Sequence, residues 1–263
     1  MQRAKNKNYL KFYAIRTRCV YTRAMNSTSR TSQHGNALWF ILVAIVLLAA
    51  LTVLLTRSGS NVDQSGDVEQ QRIKASQILR WAKGIEATIE QMKLRGISES
   101  DISFENTVTA QDYSNALCDA HKDPNDCKIF ATGGGGQNYL NPPSGSAAPG
   151  SEWIFTGANN VGTAAYPIGT TAAGAGNDLI LLLPNANTAL CTQINRDMEI
   201  ASPIPTDATG IALTPFVGTY DAALVVIDGD ATPFELNGKA SGCFTDTNAN
   251  PDVTYFYYVV LAR

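Results

Sequence analysis

The chain has 263 residues, 44% of them hydrophobic and 16% charged, with a formal net charge of −3. That length and apolar content suffice for a folded core, and a slightly acidic chain has no overall basic footprint, so nucleic acid is not an expected partner. The total conceals an asymmetry: residues 1–35 hold eight Lys or Arg and no Asp or Glu, whereas from Ser58 onward 11 basic residues stand against 23 acidic ones, a balance of −12.

Residues 1–35 read as a basic cytoplasmic leader. Met25 opens a compact version of it, MNSTSRTSQHG, and is a candidate true start; residues 1–24 are irregular and carry the stray Cys19. Next comes ALWFILVAIVLLAALTVLL, Ala37 to Leu55, without a charge and broken only by Thr52. Such a run predicts a transmembrane helix over 36–56. The basic leader then stays inside and the acidic remainder is exported, by the positive-inside rule. A cleaved signal peptide is the rival, but its apolar region is usually shorter, and Thr56–Ser60 offers no small-residue cleavage pattern.

Residues 57–66, RSGSNVDQSG, read as a flexible joint of Ser, Gly, Asn and Asp. From Asp67 the pattern is helical. Ile73, Ile78, Ala82, Ile85, Ile89 and Met92 recur mostly at steps of three and four, charges occupy the other faces, and Gly96 suits the stop of an amphipathic helix over 67–96. The stripe is of the ordinary core-facing kind; a helix that also packs on other subunits would use Trp81, beside it.

Residues 97–263 change texture to short apolar runs among Gly, Pro, Asn and Thr. Strands are predicted at 152–156, 178–183, 222–227 and 253–261, and short helices at 110–120 and 188–198. The fold class is therefore α+β: a long N-terminal helix, transmembrane then amphipathic, followed by a mainly antiparallel sheet with long loops. The segment Gly133 to Gly150 reads as a surface loop; its four glycines lack the Lys-Ser or Lys-Thr of a phosphate cradle.

Beyond the leader there are four cysteines, an even number suited to an oxidising compartment. Cys118 and Cys127 enclose a tight polar loop and predict a local bridge, leaving Cys191 with Cys243 as a long-range one. Zinc competes, but the Cys-x8-Cys spacing fits no usual finger and His121 is the only histidine outside the leader. With His34 in the leader and His121 in the disulfide loop, no nucleophile–histidine system assembles, and the chain reads as a non-enzyme. Asp246, Asn248, Asn250 and Asp252 place oxygen ligands at alternate positions, as a calcium loop begins. Pro251 and Tyr257 stand where an EF-hand needs Gly and Glu, and an ion-free Asn- and Asp-rich turn is the alternative.

The basic leader ending at Gly35, the apolar helix directly behind it, the amphipathic continuation and the cysteine-containing β-rich region together resemble the type IV pilin and pseudopilin family. The stretches Ala189 to Asn195 and Gly242-Cys243-Phe244 are similar to segments of pilin-like proteins. The resemblance implies cleavage by a prepilin peptidase between Gly35 and Asn36, and a bacterial inner-membrane precursor with a periplasmic C-terminal domain. It also implies assembly into an extracellular homo- or heteropolymer through the N-terminal helix, where Trp39, Phe40, Ile41 and Ile45 lie, and raises the calcium reading of the Asp246 loop. Family members usually carry Phe or Met after the cut and Glu five residues into the mature chain; here Asn36 and Phe40 occupy those positions, marking a minor or atypical subunit. The expected function is a structural subunit of a pilus-like or pseudopilus filament; the alternative is an uncleaved, single-pass anchored binding domain.

Overall fold

A computed structural model describes residues 36–163, 166, 168–169, 176–221, 225–230 and 235–263, with the side chains of the first helix described over 38–54 and from 66 onward. The chain divides into two compact units, Met1–Arg57 and Ser58–Arg263. Helix α1 is Asn36–Leu94. It runs through 57–66, where the sequence predicts a joint: each Gly, Ser, Asn or Asp there costs about 1 kcal/mol or less of helix propensity, and no proline breaks the run. The division between the units nevertheless falls inside that stretch.

The predicted transmembrane element is corrected. No helix among the described residues is long and apolar enough to cross a membrane.

In the second unit α1 carries the predicted stripe. Ala75, Ile78, Ala82, Ile85, Ile89 and Met92 are buried to 1% exposure or less, Trp81 joins them, and Ile73 alone of the predicted set stays half exposed. The helix stops as predicted at Gly96, whose φ of +92° only glycine adopts readily. The Gly96 N–H bonds the Lys93 carbonyl and the Ile97 N–H reaches back to Met92 at 3.1 Å, a Schellman termination that satisfies two helix-end carbonyls.

The remaining elements are a 3-10 turn at Glu99–Asp101, α2 (Ala116–Asp119), β1 (Ile154–Val161), β2 (Asp178–Leu183), α3 (Thr188–Asp197), β3 (Thr206–Asp207), β4 (Val225–Ile227), β5 (Ser241–Asp246) and β6 (Val253–Leu261). They form one six-stranded sheet in the order β3-β5-β6-β2-β1-β4. The central pairings β5·β6, β6·β2 and β2·β1 are antiparallel, but both edge strands join in parallel, β4 on β1 and β3 on β5.

The fold is α+β, but the expected pilin-like sheet, mainly antiparallel with long loops, is corrected: parallel edge strands flank the antiparallel centre, and the sheet curls until its edges nearly close. The Asp230 N–H bonds the Thr206 carbonyl and the Thr209 hydroxyl donates to the Val226 carbonyl, joining the β3 and β4 ends. Burial on both faces drives this. On β2, Leu179, Leu181 and Leu183 pack outward with Trp81, Ile85 and Ile194 of the helices, while Ile180 and Leu182 pack inward with Phe244, Tyr255 and Tyr257. A strand covered on both sides reads as an unbroken apolar run, which DLILLL is; an open sheet with one wet face would alternate.

Helix α3 occupies most of its predicted span. Asn187 caps it by accepting from the Ala189 N–H, and Asn195 clamps it to β5, donating to the Cys243 carbonyl and accepting from the Cys243 N–H at 2.7 Å. The stretches Ala189 to Asn195 and Gly242-Cys243-Phe244 thus meet at this clamp. Of the helix predicted over 110–120 only α2 forms, because Asp112 turns back onto the Ser114 N–H and Asn115 caps at Leu117.

Candidate assembly surface

The largest uncovered feature among the described residues is the first part of α1. Every described side chain from Leu38 to Leu54 is exposed, and the predicted assembly residues Trp39, Phe40, Ile41 and Ile45 are 57–65% exposed. The Thr52 hydroxyl bonds the Leu48 and Ala49 carbonyls of its own helix. This side chain therefore needs no water, and the helix presents apolar surface on all sides rather than along one stripe. A helix apolar all round is stable in water only when other apolar surface covers it, and an exposed area of this extent marks an interaction site. Asn36 is the first residue of α1; its predicted cleavage partner Gly35 lies outside the described residues, as do Met25, His34 and Cys19.

Both predicted disulfides are present, Cys118–Cys127 with Cα atoms 5.7 Å apart and Cys191–Cys243 at 5.4 Å. His121 Nε2 lies 2.9 Å from Asp101 Oδ2, tying the first loop to the 3-10 turn. The proposed calcium ligands form the β5–β6 turn. There Asp246 Oδ1 accepts from the Asn248 and Ala249 N–H groups, a self-closing Asx turn, while Asn250 precedes a cis Pro251 and Asp252 leads into β6. Among the described residues no three His, Cys, Asp or Glu side chains converge as a metal site.

A denser carboxylate group sits where the sheet nearly closes. Asp207, fully buried, accepts from the Thr209 N–H and hydroxyl and from the Asp228 N–H. Burial, then the neighbouring charges of Asp207 and Asp230, push the Asp228 carboxyl up to about 6. Asp178, at the start of β2, is also raised to about 6 by burial, although N–H groups of Val161 and Arg263 bond it.

One surface escapes the sequence. A cleft of about 500 Å³ is lined by Gln77, Ile78, Arg80, Trp81, Leu140, Asn141, Pro143 and Trp153. The two indoles lie with centroids 4.9 Å apart, and their N–H groups donate to the Asn138 and Leu140 carbonyls at 3.1 and 2.7 Å. The loop 133–150 is thereby held onto the domain. Ile78 and Trp81 carried a signal, their places on and beside the helical stripe; Leu140 and Trp153 of the other wall lie 59 and 72 residues further along the chain than Trp81. No protein-family model matches this chain, and no curated protein or solved structure is similar to it beyond chance.

Proposed function

We propose that the chain is a structural subunit of a type IV pilus-like or pseudopilus filament, a minor or atypical one, matured by prepilin peptidase after Gly35 and assembled through α1. One observation carries this: Leu38 to Leu54 is apolar on every side and uncovered, on a helix that begins directly behind the leader glycine. Sister helices packed side by side bury that surface, and a contact repeated with rise and rotation makes an open filament. Two disulfides support an oxidising, exported setting for the second unit. Maturation at the bacterial inner membrane and a filament outside it follow from this reading.

The test is expression of the full chain with immunogold imaging of extracellular filaments, beside a Gly35→Leu variant. Filaments from the parent, with an uncut precursor and no filaments from the variant, are expected. A parent that is released as a soluble monomer, or whose size is unaffected by Gly35→Leu, overturns the proposal.

A further inference from the structure

We infer that the Trp81–Trp153 cleft receives the disulfide-stapled turn around Leu117 of a second copy of this chain; the inference rests on the chain being a self-assembling subunit. The cleft floor is ring face and aliphatic surface, because both indole N–H groups are already used by Asn138 and Leu140. Its rim carries Arg80, exposed and, among the described residues, without a carboxylate in ion-pair range. A site with an apolar floor and one unopposed guanidinium fits an aliphatic side chain next to a carboxylate.

The turn at α2 has that composition. Leu117 is 48% exposed and Asp119, two residues on, is exposed and also lacks an ion-pair partner among the described residues. The turn is rigid: Cys118 between them is bridged to Cys127, and Asn115 Nδ2 holds the Ser100 and Ile102 carbonyls at 2.8 and 2.9 Å. A preordered knob loses little entropy on docking. The bridged loop carries Asp119, Asp123 and Asp126 against the single Lys122, with His121 held by Asp101. Since the chain from Ser58 onward has 23 acidic and 11 basic residues, two copies repel over most of their surface, and the Arg80 rim is a place where an acidic turn is welcome.

The turn is tied to Ser100 and Ile102, past the end of α1 at Leu94, whereas Arg80 lies about 21 Å earlier along the helix axis. Between copies pointing the same way, the contact repeats as an open chain.

The experiment is sedimentation velocity of the full-length protein in mild detergent, for the parent, Arg80→Glu, Asp119→Lys, the double variant, and Leu117→Ser, with circular dichroism to verify folding. Arg80→Glu, Asp119→Lys and Leu117→Ser are each expected to weaken association at least tenfold, and the charge-swapped pair to recover most of the loss. A parent that associates while the single variants associate equally well overturns this contact and leaves the filament reading standing, with some other occupant in the cleft. Failure of the double variant to recover overturns the Arg80–Asp119 pairing, and a parent that stays monomeric overturns both.

Discussion

Asp207 on β3 and Asp228, one residue past β4, meet across the gap between the two edges of the sheet: the Asp228 N–H donates to Asp207 Oδ2 at 3.2 Å, and the Gly229 N–H approaches the same oxygen at 3.4 Å. The other oxygen takes the Thr209 N–H at 2.9 Å. One buried carboxylate thus stands in for the ladder bonds that a fully closed barrel would supply. Truncation strands these donors, so Asp207→Ala is expected to destabilise the protein by about 2–4 kcal/mol, and Asp207→Asn, which keeps an acceptor, by less. Urea unfolding followed by tryptophan fluorescence checks it; an Asp207→Ala midpoint equal to the parent's means the edges are held some other way.

The same closure makes stability depend on pH. The folded-state value of Asp228 is about 6 against an ordinary 3.8, so the folded protein binds this proton more tightly than the unfolded chain does. Its contribution is therefore present below about pH 4, falls as pH rises to about 6, and is constant above. Asp178, raised to about 6 by burial, acts in the same direction. Asp228→Asn is expected to raise the melting temperature at pH 7 and to flatten, without abolishing, the fall between pH 4 and 6. A variant curve parallel to the parent's assigns the titration elsewhere.

Legibility followed locality. The strands at 178–183 and 253–261 are found at their predicted bounds, because consecutive β-branched, aromatic and leucine residues declare a doubly covered strand without help from distant residues. The strand Ser241–Asp246 was not predicted: SGCFTD has one large apolar residue, and its extended form is imposed by six pairings with β6 and by the Asn195 clamp. Closure of the sheet was hidden for a similar reason, since it depends on a two-residue strand and one aspartate. The apolar α1 surface was plain in the sequence, being contiguous; the cleft was not, because Trp81, Leu140 and Trp153 come together only through the folded loop.

That loop's glycines have unequal roles. A Cβ on Gly134 would lie 2.2 Å from the Lys128 carbonyl oxygen and 2.4 Å from that of Asn125, backbone atoms with nowhere to go, while Gly136 has open space around it and only a φ of +65° to satisfy. The run that resembles a phosphate cradle is in fact a close backbone approach to the disulfide loop, locked by Arg95 donating to the Gly134 carbonyl at 2.7 Å. Gly134→Ala is expected to cost about 3 kcal/mol and Gly136→Ala about 1 kcal/mol. Thermal unfolding ranks them, and equal losses at the two positions contradict the packing described.

The two disulfides should contribute unequally. Cys118–Cys127 closes a separation of 9 residues and Cys191–Cys243 one of 52, so the loop-entropy model gives about 2.5 and about 4 kcal/mol respectively. The longer bridge also sits in the main hydrophobic core between α3 and β5, so its removal leaves unfilled volume there, whereas Cys118 and Cys127, equally buried, lie outside that core. Replacing Cys191 and Cys243 together by Ala is therefore expected to lower the urea midpoint clearly more than replacing Cys118 and Cys127. The short bridge has the other consequence: it orders the turn that carries Leu117 and Asp119, so its removal should weaken self-association by more than its modest stability cost explains. A short-bridge variant that associates like the parent, while unfolding more easily, separates these two roles and assigns the bridge to stability alone.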